Sequence, residues 1–433
     1  MSPLLDGGFA APSLCVFKME RAAKLNHPMS FNEAVAWLYG TQVHGIRPGL
    51  ETTWRLVDAL RVDPARMKFI HVAGTNGKGS VCAMLDSICR AAGMKTGLFT
   101  SPHLITFRER IRVNGEMIGE AEVAARLTAI RDFSAGWNPA PTFFEITTAL
   151  ALAHFQSARV DIVVLETGMG GSLDSTNIVT PLVSVLTPID FDHERWLGAT
   201  LPQIAAEKAG IIKHAVPVVS APQPEEVAAV IAHIAHQRRA LLHQVRGPVE
   251  NVPVGLAGGY QRWNAALAIH ALDHARLVVP LDAITRGLAN VTWPGRFQRI
   301  GDRIVVDGAH NPAAARCLVQ TWREIFGDAK ATLVLGVLQD KNLRGICEVL
   351  LPIAARVIAV PVQNPRSSSA HELCEIIRGI APDFFCVARV ALAEALESAG
   401  SFRDPILVAG SLFLVGEMLA FLQNEKTGEV STQ

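Results

Sequence analysis

The 433-residue chain has no excess of charge of either sign, since Lys plus Arg and Asp plus Glu both number 40. Such a balance offers no electrostatic footprint for nucleic acid or an anionic membrane surface, so neither is expected as a partner. No stretch of 18 apolar residues occurs. The first 30 residues carry Asp6, Lys18, Glu20, Arg21 and Lys24 without a signal-type apolar core, which argues against a membrane span or an export signal. Cysteine is sparse: seven residues, at 15, 82, 89, 317, 347, 374 and 386, form no CxxC pair. An odd, unpatterned set of this kind points to free thiols in a reducing compartment rather than a disulfide scaffold, with the cytoplasm as the default. Internal repeats, low-complexity segments and the N-K-x-D string of GTP-binding switches are also missing.

Hydrophobic residues at 49% and charged residues at 18% describe a folded, well-buried protein, and the length suits two or three domains. Apolar runs at Met67–Val72, Thr96–Thr100, Val160–Glu166, Leu182–Leu186 and Val216–Ser220 lack alternation, as parallel strands buried on both faces do. Helical segments at Phe144–Ser157 and Pro224–Gln237 fall between or after them. The breaker Trp293-Pro294-Gly295-Arg296 then precedes a second alternation, with strands expected at Ile304–Asp307, Ala331–Gly336, Arg356–Val360, Phe384–Ala388 and Ile406–Ala409. The polar tail Gln423–Gln433 is expected to fray. Two doubly wound α/β units follow, with ligands at the carboxyl ends of strands.

The run His71-Val72-Ala73-Gly74-Thr75-Asn76-Gly77-Lys78-Gly79-Ser80 joins the first strand to a helix expected over Ser80 to Ala92. Glycines here let successive backbone N–H groups turn toward one anion, and the helix N-terminus adds partial positive charge. Lys78 adds a full charge, and Ser80 can serve a phosphate oxygen or its Mg²⁺. The spacing G-x-x-G-K-G-S differs from the usual phosphate loop, but a nucleoside triphosphate is the ligand it implies.

Five further strings lie at strand ends or in loops. Ser101, in Thr100-Ser101-Pro102-His103, reads as rim ligand or common turn. Glu166 ends a buried apolar strand before Gly168-Met169-Gly170-Gly171, where a carboxylate needs a cation or donors; Mg²⁺ or a helix N-terminus could supply them. His193 follows Asp190-Phe191-Asp192 and reads as metal ligand, base or satisfied loop histidine. Lys208, beside Glu207, reads on residue grounds as a surface charge. Asp307-Gly308-Ala309-His310-Asn311-Pro312 repeats a strand, polar turn and helix at the head of the second unit, with Pro312 suited to a first helical turn.

Taken in order, HVAGTNGKGS (71–80), TSPHL (100–104), FFEITT (143–148), ETGMGGSLDSTN (166–177), DHERWLG (192–198), EKAGIIK (207–213), PGRFQ (294–298), DGAHNP (307–312) and GSLFLVGE (410–417) resemble the folylpolyglutamate synthase/dihydrofolate synthase family of Mur-ligase-like, ATP-dependent amide ligases. The TSPHL and FFEITT strings, and the lack of an extra N-terminal UDP-binding domain, favour the folate branch over cell-wall ligases. The resemblance implies a phosphate-loop-containing, Mur-ligase-like domain with a mostly parallel sheet over 1–292, a linker at 293–299 and a smaller Rossmann-like α/β domain over 300–433. It implies ATP-dependent addition of L-glutamate to dihydropteroate and to reduced folates through an acyl phosphate. Chain extension alone, or another Mur-type amino-acid ligation, stays open. By position, Gly74, Thr75, Asn76, Gly77, Lys78, Gly79 and Ser80 would bind ATP, joined by Asn264, Arg296, Asp307 and, in a less defined role, His310. Ser101, Glu166, His193 and Lys208 would hold Mg²⁺ in two sites, with Lys208 as a carbamate formed with CO2. Lys78, Lys208 and His193 would carry the chemistry. Pro48, Gly49 and Leu50, Thr142, Phe143, Phe144 and Glu145, and Leu173, Asp174 and Ser175 would contact the pterin-bearing substrate. A monomer acting on small molecules is expected. One position departs from the pattern: Ser172 stands where the family's loop carries arginine, removing a planar, permanent charge near the substrate.

Overall fold

The computed structural model describes residues 27–45, 47 and 49–423. Pro48, Cys15 and the tail beyond Gln423 therefore lie outside the described residues. Fourteen strands follow in chain order: β1 (Phe69–Ala73), β2 (Thr96–Phe99), β3 (Ile111–Val113), β4 (Glu116–Met117), β5 (Ile162–Glu166), β6 (Val183–Leu186), β7 (Val218–Ser220), β8 (Leu242–Gln244), β9 (Gln298–Ile300), β10 (Ile304–Val306), β11 (Ala331–Leu335), β12 (Ala354–Ala359), β13 (Cys386–Ala388) and β14 (Ile406–Ala409). They build an eight-stranded sheet ordered β4-β3-β2-β5-β1-β6-β7-β8 and a six-stranded sheet ordered β13-β12-β11-β14-β10-β9.

Each apolar run singled out in the sequence forms a strand, shortened by one or two residues at one end in most cases. Central β1 is parallel to β5 (Phe69 facing Val163) and to β6 (Ile70 facing Val183), and all five of its residues are buried. Phe69 joins a core with Phe99, Leu165 and the helix Phe143–Ala158 on one face. Ile70 and Val72 join Val81, Leu85 and the helix Gly259–His274 on the other. Covering both faces is what a parallel sheet of this composition requires.

Four strands escaped the sequence reading. The β3–β4 hairpin, antiparallel to β2, borders one edge, and β8 borders the other. Strand β9 pairs antiparallel with β10, so the second sheet begins inside the segment 293–299. These strands are two or three residues long and none is fully buried, so none carries the continuous apolar run that marks a central strand. The expectation of free thiols rather than a disulfide scaffold meets one exception. Cys374 and Cys386 are paired as a disulfide, because the helix Ala370–Ile380 and β13 bring their Cα atoms to 5.6 Å. Cys82, Cys89, Cys317 and Cys347 are free, and among the described residues no helix is long and apolar enough to cross a membrane.

The second core centres on Trp322, fully buried, stacked on Phe326 at 4.4 Å and donating Nε1–H to the Ala329 carbonyl over 2.7 Å. Trp322→Ala should cost about 3–5 kcal/mol by cavity formation and the stranded carbonyl. Urea denaturation followed at the second sheet checks this, and an unchanged midpoint would refute it.

Candidate active site

The phosphate loop leaves β1 at Ala73 and enters the helix Lys78–Ala91 through Gly77, whose φ of 90° only glycine adopts without strain. Asn264 from the helix Gly259–His274 lies over Gly77: a Cβ there would meet Asn264 Oδ1 at 2.8 Å. Gly79 is crowded in the same way by Trp293 Nε1. The N–H groups of the helix's first turn have no intrahelical acceptor and form the anion-facing donors. Earlier in the loop, the Thr75 and Asn76 N–H groups are already spent on the Pro188 carbonyl, at 3.0 and 3.2 Å. Thr75 Oγ1 donates to the Asp190 carbonyl, and Ser80 Oγ accepts from Gln261 Nε2 at 3.3 Å.

Gly74 anchors two lysine side chains. Its carbonyl accepts from Lys78 Nζ at 3.1 Å and from Lys208 Nζ at 2.9 Å. Lys208, at the last turn of the helix Leu201–Ala209, is 3% exposed and not the surface charge its neighbours suggested. Burial, reinforced by Lys78, pushes its pKa down to about 7, which makes the uncharged amine far more accessible than in a solvated lysine.

Glu166 ends β5, buried, its Oε2 accepting the Ser101 N–H at 3.1 Å. Burial raises its pKa while Lys78, the Ser101 N–H, Arg296 and Arg110 oppose the rise. With one N–H on four lone-pair positions, the carboxylate keeps capacity for a hard cation. No helix N-terminus caps it; Asp174 Oδ2, not Glu166, takes the Gly168 and Met169 N–H groups, each at 2.9 Å.

The second sheet contributes Asp307, Arg296, His310 and Asn311. Asp307 accepts from Phe297 N–H at 2.7 Å and Ala309 N–H at 2.8 Å. Burial raises its pKa, opposed by Arg296 and both N–H groups. Asn76 of the phosphate loop and Asn311 exchange reciprocal amide hydrogen bonds at 3.2 and 3.1 Å. Asp192 binds Lys341 Nζ at 2.6 Å, accepts from Asn311 Nδ2 at 3.3 Å and lies 3.5 Å from His310 Nε2. Burial pushes its carboxyl up, but His310, His193 and Lys341 outweigh this and hold it well below the carboxylate range. His193 caps a short helix in the left-handed region, φ 52°, with Nε2 3.9 Å from Asp192 Oδ1. Burial, with Lys341, Lys208 and His310, lowers its pKa against the pull of Asp192.

The structure thus gathers the phosphate loop, Lys208 and Asn264, and gathers His193 and His310 around Asp192. Ser101 and Glu166 stand together in the fields of Lys78 and Arg296. Among the described residues no group of three or more His, Cys, Asp or Glu side chains is arranged to hold a metal ion.

Of the residues expected to meet the pterin-bearing substrate, Thr142 and Glu145 form a capping box on the helix Phe143–Ala158, which accounts for both side chains. Phe143 stacks on Tyr39 at 5.5 Å, and the Phe144 ring covers Gly168, where a Cβ would lie 2.4 Å from Cζ. Gly49 has φ 139°, Leu50 packs on the first core, Leu173 is half exposed, and Asp174 and Ser175 are buried. Ser172 folds back on the helix Leu201–Ala209: its N–H and Oγ both donate to the Glu207 carbonyl, at 2.8 and 3.1 Å.

Several polar residues at these places were not singled out in the sequence. Gln261 and Lys341 depend on partners 181 and 149 residues away, which no local pattern reveals. Arg110, fully buried, donates Nε–H to His103 Nδ1 at 2.7 Å, and His103 Nε2 meets Tyr39 OH at 3.1 Å. The histidine of TSPHL was the available signal.

Residues 72–237 match the Mur ligase middle domain, and residues 295–412 match the Mur ligase glutamate ligase domain. The chain is 32% identical over 423 residues to a dihydrofolate synthase/folylpolyglutamate synthase of Bacillus subtilis, covering 90% of this chain and 98% of that one. Its structure is similar to Escherichia coli FolC in complex with DHPP and ADP, at 33% identity and TM-score 0.82, covering 90% and 98% of the two chains. It is also similar to a bifunctional folylpolyglutamate synthase/dihydrofolate synthase of Yersinia pestis complexed with AMPPNP and Mn ion, at 31% identity and TM-score 0.82, covering 91% and 98%.

Gly74 has φ 146°, and a Cβ there would lie 1.9 Å from Thr187 Oγ1. Gly74→Ala should therefore displace the carbonyl shared by both lysines and weaken nucleotide binding by about tenfold or more. Calorimetric titration with ATP checks this; wild-type affinity in a folded variant would overturn it.

Proposed function

The chain belongs to the dihydrofolate synthase/folylpolyglutamate synthase family, and from that premise we propose that it is an ATP-dependent ligase joining L-glutamate to dihydropteroate and further glutamates to reduced folates. The observation that carries this reading is the convergence of Lys78 and Lys208 on Gly74 at a phosphate loop whose Asn76 is bonded to Asn311 of the second unit. In this reading the first sheet holds nucleotide and pterin, and the unit from residue 300 onward completes the site over them.

A carboxylate is a poor electrophile and repels a triphosphate. The acceptor's carboxylate oxygen attacks the γ-phosphorus, the bond to the bridging oxygen of ADP breaks, and an acyl phosphate results. Glutamate's amine then adds to the acyl carbon, and phosphate leaves with the amine's proton passed to solvent. Lys78 and the N–H groups of the first helical turn neutralise phosphate oxygens and hold them in line. Arg296, held against Gly308 and in the fields of Glu166 and Asp307, adds positive charge from the other side. The Asn76–Asn311 and Asp192–Lys341 contacts keep the two sheets closed, excluding water from the acyl phosphate.

Ser101, Glu166, His193 and Lys208 fit a divalent cation by donor chemistry, provided Lys208 is not an ammonium. Its depressed pKa supplies the neutral amine that bonds to CO2, losing one proton to give an anionic carbamate. Bound there, Mg²⁺ would supply positive charge to the γ-phosphate and its leaving oxygen.

Glutamate-dependent ADP release, measured with dihydropteroate and with tetrahydrofolate and followed by product mass, tests the function; no release with either acceptor would sink it. Lys208→Ala should lower kcat by about a hundredfold or more with the far-ultraviolet spectrum unchanged, as loss of a charged catalytic group does. Near-wild-type turnover would remove the carbamate role. Glu166→Gln should shift the Mg²⁺ titration of activity upward by about tenfold or more, and an unmoved titration would remove Glu166 from the ligand set.

A further inference from the structure

His71 stands in the middle of β1, in register with Leu165 of β5 and Ser184 of β6, at a position where an apolar residue is the ordinary occupant. Its side chain is fully buried, and Nε2 lies 2.8 Å from Thr176 Oγ1. The tautomer follows from counting hydrogens. Asp174 Oδ1 accepts the Thr176 N–H at 3.0 Å and the Thr176 hydroxyl at 2.5 Å. Asp174 Oδ2 accepts the N–H groups of Gly168 and Met169. Three N–H groups and the Thr176 hydroxyl, which donates to Oδ1, fill the carboxylate's acceptor positions and oppose the upward push of burial on its pKa. Only a hydroxyl lone pair faces the imidazole, and His71 must donate its Nε2–H. Nδ1 is then a bare acceptor, and it is buried without a partner. A valine or leucine would avoid that unpaired acceptor, so the histidine is retained against a local cost. Burial, with Lys213, pushes the ring's pKa down to about 3, which keeps it neutral.

Building on the ligase reading above, we propose that His71 is a positioning residue for the acceptor substrate: its Nε2–H, through the Thr176 hydroxyl, fixes the Asp174 carboxylate, which holds the turn at Gly168–Met169 and shapes the 168–175 loop around the pterin-bearing molecule. The chain of donors runs one way, from strand to loop. It links the centre of the first sheet to the segment that also carries half-exposed Leu173 and buried Ser175. Phosphate-loop contacts made by Lys78 and Ser80 do not pass through it.

Glutamine can place an amide N–H2 where histidine places Nε2–H, while leucine supplies no donor. His71→Leu should raise KM for dihydropteroate about tenfold, a loss of about 1.4 kcal/mol, and leave KM for ATP within about twofold. His71→Gln should return KM for dihydropteroate to within about threefold of wild type. An unchanged acceptor KM in His71→Leu, an equal rise in both KM values, or a glutamine variant no better than leucine would overturn the proposal. Nitrogen-15 spectra of histidine-labelled wild-type protein test it without any assay of turnover. The ring bonded to the Thr176 hydroxyl, assigned by its loss in His71→Leu, should be a neutral Nε2–H tautomer from pH 8 to pH 5 on its depressed pKa; an Nδ1–H tautomer, or titration near its ordinary value, would refute it. Failure of the ligase reading looks different: wild-type protein releases no ADP with glutamate and any pteroate acceptor, whatever the tautomer of His71.

Discussion

Two lysines bonded to one carbonyl oxygen set the terms for the rest of the molecule. Lys78 and Lys208 approach Gly74 from different helices, and like charges at that separation are tolerable only if anions arrive or one amine gives up its proton. The backbone makes the arrangement by dispensing with side chains. Gly74 leaves room for Thr187, and Gly171 lets the 168–175 loop lie against the Glu207 and Lys208 carbonyls, where a Cβ would come within 2.7 Å. Gly210 in turn admits Ser172, which ties that loop to the Glu207 carbonyl. Lys208 is thus buried by the same contacts that shape the loop, and its lowered pKa follows from packing.

The second sheet meets this charge concentration with groups of its own. The Asp192–Lys341 pair is almost fully shielded from solvent, a setting in which removing either partner costs more than the pair contributes. The helix Leu412–Leu422 presses against the Thr100–Leu104 turn so closely that a Cβ on Gly416 would lie 2.1 Å from the Leu104 carbonyl. The two sheets therefore join at the strand ends that carry Ser101, Asp192 and the phosphate loop.

Much of this could be read from the chain. Strand β5 is an uninterrupted apolar run that ends in Glu166, so both its burial and its one polar terminus are visible in the letters. The phosphate loop declares itself through glycines that a helix or strand interior would reject. The short strands β3, β4, β8 and β9 are edge elements with partly or fully exposed residues, and nothing in their composition separates them from loop. Lys341 sits in a turn where a solvated charge is the ordinary reading, and only the fold brings it to Asp192. His71 was hidden for the opposite reason: its side-chain partner, Thr176, lies 105 residues away, so the strand's letters show nothing of it. Lys208 shows the limit most clearly, because its residue neighbours suggested a surface ion pair while the packing made it a wholly enclosed amine.

The amide exchange between Asn76 and Asn311 has a mechanical consequence. Each side chain donates to and accepts from the other, so the pair is satisfied at one relative orientation of the two sheets and loses both bonds together when they swivel. Since Asn76 lies two residues before Lys78, the relative orientation of the two sheets is gauged at the phosphate loop itself. Any change in that orientation would therefore be felt first by the backbone of the loop.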